Sequence, residues 1–252
     1  MKWLLQNFRA RAAFALRHPA YTLKSLGNEL ALRDERFLAK ITGVPAQKIR
    51  SFLNEPIDTP EFADHLRESE VQFRSLEMLS ADLYAKKILN QYAVVRALRP
   101  NCVIETGIAS GVSSAYLLLA MQKNRRGELH SIGLPEPTFL PIGKEMGWIV
   151  PSWLRSSWNI HAGDARELLP QLFNELSDVS VFIHDSLHTY DHMMWEFGVA
   201  YSRLPLYGVL MADDVLCNSA FDEFVKRVDT SEAETLHGVG FLRKSKPDGD
   251  RL

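Results

Sequence analysis

The sequence has only two cysteines, Cys102 and Cys217, among 252 residues, and they do not form a Cys-x-x-Cys pair. A disulfide-rich secreted scaffold is therefore excluded. Both cysteines lie in or directly after apolar segments, so we expect two buried free thiols rather than a disulfide. This pattern favours a reducing, cytoplasmic setting.

Long apolar runs and a strong charge imbalance are also missing. No stretch approaches the roughly 18 apolar residues that a membrane-spanning helix needs. Met1–Leu5 starts like a signal peptide, but Gln6 and Asn7 interrupt the apolar run too soon, so no signal peptide is expected. The net charge of −2 gives no reason to expect nucleic acid as a partner.

The chain changes character near residue 96. Before it, the apolar pattern is helical, with breaks at residues 43–45 and 56–60; after it, short apolar strands alternate with helical segments. We predict an α/β fold in which residues 1–95 form a helical cap or dimerisation region of a homo-oligomer. Residues 96–252 are predicted to form a Rossmann-like, doubly wound, mostly parallel sheet with a C-terminal antiparallel hairpin.

Residues 1–26 carry lysines and arginines, interleaved with aromatic residues, and no acidic residue. A basic amphipathic helix of this kind can lie on an anionic membrane surface. The alternative, which we favour, is a helix that packs its aromatic face on the body of the protein or on a second subunit.

Carboxylates end two of the predicted strands. Val181–His192 and Val209–Val215 each begin as a short apolar run, and the runs end at Asp185 and at the pair Asp213 and Asp214. The carboxyl ends of adjacent parallel strands face the crevice where ligands bind. These three carboxylates are therefore expected to meet in one pocket, where they would repel one another unless a cation or protons intervened.

The chemistry of this pocket depends on its histidines. Oxygen ligands such as Asp185, Asp213 and Asp214 suit a hard cation such as magnesium, and His188, about one helical turn beyond Asp185, is suited to act as a general base. The alternative uses the spacing of His188 and His192, four residues apart, which can hold zinc on one helix face. With Asp185 as a further ligand, that arrangement predicts a metal-dependent hydrolase or oxygenase.

A glycine turn follows the first predicted strand, Cys102–Glu105, in the sequence Glu105-Thr106-Gly107-Ile108-Ala109-Ser110-Gly111. Glycines at a strand-to-helix turn let the backbone approach a ligand, or simply permit tight packing. The spacing is Gly-x-x-x-Gly rather than the Gly-x-Gly-x-x-Gly of dinucleotide binders. Glu105 could accept from a ligand's ammonium group, whereas its charge would repel a pyrophosphate.

With these motifs, residues 103–244 resemble the class I S-adenosylmethionine-dependent methyltransferases, and most of all the metal-dependent O-methyltransferases of the macrocin and mycinamicin sugar type. The resemblance implies that the methionine part of S-adenosylmethionine is held by Glu105, Gly107, Gly111 and Ser113. It implies that the turn Gly163-Asp164-Ala165 contacts adenine through Asp164 and Ala165. It also implies that Asp185, Asp213 and Asp214 bind Mg²⁺ and that His188, with Asp185, is catalytic.

The predicted activity is magnesium-dependent methylation of a hydroxyl on a small molecule, a sugar or polyol, and two neighbouring hydroxyls could chelate the metal. One residue departs from the family pattern: Gly133 stands where an acidic residue usually holds the ribose of the cofactor. Glu136 could reach back from the next loop to replace it. The departure also leaves open a non-catalytic protein that binds S-adenosylmethionine. The aromatic-rich segment 135–158 is either a substrate lid or surface packing.

Overall fold

The structure, a computed structural model, describes residues 33–75, 86–135, 140 and 143–245, without the side chains of residues 70–75. The predicted basic helix over residues 1–26 and Glu136 lie outside the described residues.

Helices dominate the first part of the described chain. They are α1 Arg33–Thr42, α2 Ala46–Asn54, α3 Pro60–Ser75 and α4 Lys86–Leu98. Helix α3 begins at Pro60, whose fixed φ suits the first turn of a helix and whose missing N–H is not needed there. The helical pattern predicted for this part of the sequence is therefore confirmed over the described residues.

Strands and helices alternate from Cys102 onward. The elements are β1 Cys102–Thr106, α5 Val112–Asn124, β2 Glu128–Gly133, a 3₁₀ helix Ser152–Ser157, β3 Trp158–Ala162, α6 Ala165–Glu175, β4 Val179–His184, α7 Tyr190–Arg203, β5 Val209–Ala212, α8 Ala220–Val228, β6 Ala233–Leu236 and β7 Val239–Arg243. Described residues form a seven-stranded sheet in the order β3-β2-β1-β4-β5-β7-β6. Strands β1 to β5 are parallel, and β7 pairs antiparallel with both β5 and β6. The predicted fold class, with its C-terminal hairpin, is confirmed.

Alternate residues of the central strands pack into different cores on the two faces of the sheet. Val103, Val181 and Val209 join the core that α1 to α5 cover, and their neighbours Ile104 and Phe182 join the core under α6 to α8. Strands buried on both faces read as continuous apolar runs, which is the pattern in the sequence. Helix α4 spans residue 95 and packs on α5. The division of the chain at that residue stays a prediction.

The described helices and the two cysteines bear on the predictions about a membrane span and about the state of the thiols. Among the described helices, none combines the length and the apolar character needed to cross a bilayer. Both cysteines are free thiols, and burial raises the pKa of the Cys102 thiol to about 12. The prediction of two buried thiols is wrong for Cys217, which is exposed because it lies in the turn after β5 and not in the core.

Candidate active site

The acidic ends of β4 and β5 lie next to each other. His184 pairs with Ala212, the last residue of β5, so Asp185 and Asp213 directly follow paired positions. The backbone N–H of Asp213 donates to the carbonyl of His184 at 2.8 Å, and that of Asp185 donates to the carbonyl of Thr106 at 2.8 Å. The predicted convergence of the two strand ends is therefore present in the backbone. We call Asp185, Asp213 and Asp214 the acidic cluster.

The glycine turn after β1 is in contact with the backbone after β4. Gly107 has a φ of 90°, and a Cβ built there would lie 1.8 Å from the carbonyl oxygen of Asp185. Gly111, at the N-terminus of α5, has a φ of 85°, and its Cβ would lie 2.7 Å from Cα of Gly147. Only glycine tolerates both conditions. Tight packing thus accounts for these two glycines whether or not a ligand is bound.

A cavity of about 480 Å³ opens at the carboxyl ends of β1, β2 and β4 and at the turn before α6. Its size falls within the roughly 300–1,000 Å³ of small-molecule sites. The predicted site residues that line it are Gly107, Asp164, Ala165, Asp185 and His188. The structure thus brings the glycine turn, the predicted adenine turn and the predicted base to a single cavity.

The other predicted site residues do not line this cavity, so of the three carboxylates expected to share one pocket only Asp185 is in its wall; the residues absent from the lining are Glu105, Gly111, Ser113, Asp213 and Asp214. The Glu105 side chain is fully buried, and its carboxylate accepts hydrogen bonds from the hydroxyls of Ser113 at 2.6 Å, Ser114 at 2.6 Å and Ser131 at 2.8 Å. Burial raises the pKa of Glu105, and the three serine hydroxyls oppose that rise. In this arrangement the Glu105 carboxylate links the first turn of α5 to strand β2. Its contact with the cofactor stays a prediction.

Asp164 caps a helix and also lines the cavity. Its backbone is extended, and its Oδ1 accepts a hydrogen bond from the backbone N–H of Arg166 at 2.8 Å, which makes it the N-cap of α6. It also lines the cavity together with Ala165. The helix N-terminus is therefore fixed at the cavity wall.

The described part of the aromatic-rich segment is attached to the glycine turn. Gly147 donates its backbone N–H to the carbonyl of Ala109 at 2.9 Å, and Ile149 donates to that of Ser110 at 3.1 Å. Met146 lines the cavity beside this contact. These bonds favour the packing interpretation for residues 146–150, whereas most of residues 136–142, where a lid would start, lie outside the described chain.

His188 and Asp185 face each other at the cavity wall. Nε2 of His188 lies 3.5 Å from Oδ1 of Asp185, and the side chains are 26% and 33% exposed. Withdrawal from water and the charge of Asp213 raise the pKa of Asp185 to about 7. The Asp185 carboxylate in turn raises the pKa of His188. The pKa of Asp185 thus lies near neutral pH and that of His188 above its ordinary value, and a general base works best when its pKa is near the operating pH.

Lys87, which is far from the acidic cluster in the sequence, contacts it in the structure. Nζ of Lys87, in the first turn of α4, donates to Oδ2 of Asp213 at 2.6 Å. The Asp213 side chain is only 9% exposed, whereas Asp214 is exposed and has a φ of 49°. Burial opposes the charge of Lys87, but the carboxylates of Asp213, Asp185 and Asp214 raise its pKa above the ordinary value.

The acidic cluster, as placed, does not fit an ion shared by its three carboxylates. In the part of the chain that the structure describes, no three side chains of His, Cys, Asp or Glu are grouped so that they could hold one metal ion. The Oδ2 of Asp213 is already bound by Lys87. Magnesium binding therefore stays a prediction. The alternative of a hydrolase or oxygenase, with His188, His192 and Asp185 as ligands, gains no support from their placement.

Sequence reasoning missed Glu196, a fully buried carboxylate beneath the base. Its Oε2 lies 2.6 Å from Nδ1 of His184 and 2.7 Å from Oγ1 of Thr106, which donates to it. Its Oε1 accepts from Ser186 at 2.8 Å and lies 2.9 Å from Nε2 of His192. Burial alone would raise the pKa of Glu196, but these bonds lower it to about 2. The only signal in the sequence is the spacing of His192 and Glu196, four apart on one helix face.

Gly133, at the end of β2, lies where the family pattern places an acidic residue. A Cβ built there would be 3.0 Å from two side-chain atoms of Ile108 and from Sδ of Met146. Both neighbours line the cavity. The chain therefore fills this part of the cavity wall with apolar side chains instead of a carboxylate.

Residues 104–215 match a family model described as a methyltransferase domain. This match identifies residues 104–215 as a methyltransferase domain, and together with the strand order it agrees with the class predicted for that region. No curated protein sequence matches the chain significantly.

Solved structures with the same fold are distant in sequence. The methyltransferase PaMTH1 of Podospora anserina, bound to S-adenosylhomocysteine, is 14% identical with a TM-score of 0.54; the alignment covers 80% of this chain and 95% of that one. The O-methyltransferase TomG of Streptomyces achromogenes, involved in tomaymycin synthesis and solved with S-adenosylmethionine, is 16% identical with a TM-score of 0.54, over 72% of this chain and 90% of that one. At these identities the likeness establishes the fold alone.

MycE, a methyltransferase of the mycinamycin biosynthetic pathway solved with Mg and S-adenosylhomocysteine, is a more remote match. It is 14% identical with a TM-score of 0.44, and the alignment covers 61% of this chain and 47% of that one. This score is too low to support an argument about the present chain, so the specific likeness to sugar-modifying enzymes stays a prediction.

Proposed function

We propose that the protein transfers a methyl group from S-adenosylmethionine to a hydroxyl oxygen of a small molecule, with His188 as the general base. The observation that carries this proposal is the shared cavity: the glycine turn at Gly107 forms one part of its wall, and the pair of Asp185 and His188 forms another. A methyl donor and a base must meet in one enclosed space for this reaction.

The volume and the lining of the cavity support binding of a cofactor there. The cavity has the volume of a small-molecule site, and the backbone at Gly107 and Gly163 lines it without a side chain. In this proposal Gly107 would hold the methionine part, with Glu105, Gly111 and Ser113 supporting the turn from beneath. Asp164 and Ala165 would contact the adenine. The bound cofactor supplies a methyl group on a positively charged sulfur, which leaves as a neutral thioether.

His188 removes the proton from the acceptor hydroxyl as the oxygen attacks the methyl carbon. The O–C bond would form as the C–S bond breaks, the electron pair of the C–S bond would stay on sulfur, and the proton would move to the imidazole of His188. Asp185, 3.5 Å from the ring, stabilises the imidazolium that results. Base catalysis of this type contributes about 10²–10⁴-fold, and holding the reactants in near-attack geometry can contribute roughly 7–11 kcal/mol.

The finer parts of the proposal concern metal and acceptor. Magnesium bound by Asp185, Asp213 and Asp214, as the sequence predicts, requires Lys87 to leave Asp213, so none of the steps above uses a metal. The proposed acceptor class is a sugar or polyol. Assembly as a homo-oligomer, with the N-terminal helical region as the contact, belongs to the same proposal.

The test combines a binding and a transfer measurement on the full chain. Isothermal titration with S-adenosylmethionine and S-adenosylhomocysteine measures binding, and transfer of a labelled methyl group is followed on a panel of sugars, polyols and phenols. We expect His188→Ala to lower kcat by 10²–10⁴-fold with cofactor affinity unchanged. The control His161→Ala changes a histidine on β3 that does not line the cavity and should keep full activity.

Two outcomes would contradict the proposal. Binding of the cofactor with no transfer to any hydroxyl would favour the non-catalytic binding protein. Bound zinc or iron by elemental analysis, with no affinity for either nucleoside, would favour the hydrolase or oxygenase.

A further inference from the structure

We propose that the ammonium of Lys87 supplies the positive charge that the acidic cluster needs, in place of a metal ion. Methyl transfer is then independent of a divalent metal. This inference rests on the proposed function for its catalytic part. Its structural part, that Lys87 excludes a metal ion from the cluster, stands on the geometry of the cluster alone.

Converging carboxylates need a compensating positive charge. Asp185 and Asp213 directly follow paired residues of adjacent strands, so their backbones are held side by side. Lys87 Nζ binds Oδ2 of Asp213 at 2.6 Å, and both side chains are largely withdrawn from water, at 33% and 9% exposed. An ion pair in such a place is screened far less than one on the surface.

The same contact opposes a second cation. Oδ1 of Asp213 is buried and has no hydrogen-bond partner among the described residues, so it is the oxygen that an ion could still approach. An ion bound there would lie a few ångströms from the ammonium on the other oxygen of the same carboxylate. Repulsion between the two cations would be strong in a poorly solvated place. Magnesium also demands near-ideal octahedral geometry, to which a carboxylate already held by a lysine cannot turn.

A consequence for the acceptor follows. A metal-bound acceptor would be selected for two neighbouring oxygens that chelate the ion, whereas a site built on Lys87 has no such requirement. A single hydroxyl next to His188 then suffices. The enzyme should methylate an acceptor with one isolated hydroxyl about as well as the matching vicinal diol.

The structural part is tested with Mn²⁺ alone, measured by electron paramagnetic resonance and isothermal titration on the full chain. Lys87→Met keeps the length and the apolar stem of the side chain and removes its charge. Lys86→Met, at the exposed neighbouring position of α4, is the matched control. We expect no saturable Mn²⁺ site in the wild type or in Lys86→Met. In Lys87→Met we expect one saturable site, at least tenfold tighter than any Mn²⁺ binding by the wild type, and the further change Asp213→Asn should remove it.

The catalytic part is tested on the unmodified protein, so it does not depend on whether a variant folds. Methyl transfer should be unchanged in excess chelator and unchanged when Mg²⁺ is added. A tenfold loss in chelator that Mg²⁺ restores would overturn the inference, as would equal Mn²⁺ affinity in the wild type and in Lys87→Met. Absence of a Mn²⁺ site from a folded Lys87→Met and from a folded Lys87→Gln would also overturn it. If no hydroxyl is methylated at all, the Mn²⁺ measurement still decides the structural part.

Discussion

Nδ1 of His184 and Oε2 of Glu196 lie 2.6 Å apart with both side chains fully buried. Glu196 also accepts from Thr106 at the end of β1 and from Ser186 in the loop that follows β4. One carboxylate therefore joins two central strands to α7 directly beneath the segment that carries Asp185 and His188. Through Ser186, this carboxylate contacts the segment that carries His188, the proposed base.

Protonation of Glu196 in acid should lower the free energy of unfolding. Its pKa in the folded state, about 2, is below the ordinary 4.5, so its stabilising contribution is complete above pH 4.5 and is lost as the pH falls from about 4.5 toward 2. Replacing Glu196 by Gln removes one partner of a buried pair, which typically costs roughly 3–5 kcal/mol. Urea unfolding at pH 7, 5 and 3.5 should show a wild-type advantage over the variant that shrinks with acidity.

The control for that experiment is Glu167→Gln, which changes an exposed carboxylate in the first turn of α6. Its unfolding free energy should follow the wild type at each pH. A Glu196→Gln protein as stable as the wild type at pH 7 would show that the buried network does not stabilise the fold.

Substituting Gly107 by Ala should disrupt the cavity. The new Cβ would meet the Asp185 carbonyl oxygen at 1.8 Å, and the φ of 90° is itself unfavourable for alanine by roughly 1–2 kcal/mol. Gly43→Ala separates the two causes, because Gly43 has a φ of 72° with nothing within 4 Å of the new Cβ. The midpoint temperature of thermal unfolding should fall much further for Gly107→Ala than for Gly43→Ala. Only Gly107→Ala should lose cofactor affinity. Equal effects at the two positions would mean that the contact with Asp185 is unimportant.

An acidic residue at position 133 should weaken cofactor binding in this protein. In the family pattern it would grip the ribose, but here its Cβ would press on Ile108 and Met146, which line the cavity. Titration of S-adenosylhomocysteine should give weaker binding for Gly133→Asp, and a smaller loss for Gly133→Ala. Tighter binding by the aspartate variant would indicate that the missing carboxylate limits affinity.

The two aspartates after β5 should respond differently to replacement by asparagine. Asp213 is buried and bound to Lys87, and loss of a hydrogen bond to a charged group costs roughly 1.5–3 kcal/mol. Asp214 is exposed. We therefore expect Asp213→Asn to lower both the unfolding free energy and kcat, and Asp214→Asn to change the unfolding free energy little. Comparable losses of stability for the two variants in urea titrations would contradict this difference.

The mostly parallel sheet and the meeting of two acidic strand ends could be predicted because both follow from local patterns. Apolar runs that end in Asp185 and Asp213 define where parallel strands stop, and parallel strands stop at a common edge. Gly107 and Asp164 could be placed by the same reasoning, since a strand-to-helix turn needs a glycine and a helix start needs a cap.

Contacts between residues that are far apart in the sequence could not be predicted. Lys87 and Asp213 are 126 residues apart, and their contact depends on the angle at which α4 lies on the sheet, which helical periodicity does not determine. Helical periodicity predicts which face of α7 is buried, but it does not predict which residues Glu196 contacts there. For Cys217, a run of apolar neighbours suggested burial, yet the turn after β5 carries it to the surface.

The absence of a side chain at Gly107 has a mechanical effect. Because the α-carbon of this residue rests against the peptide of Asp185, the two segments cannot separate without opening a void and cannot approach without a collision. The contact therefore fixes the spacing of the two segments. The position of His188, three residues after Asp185, is thus tied to the position of the glycine turn.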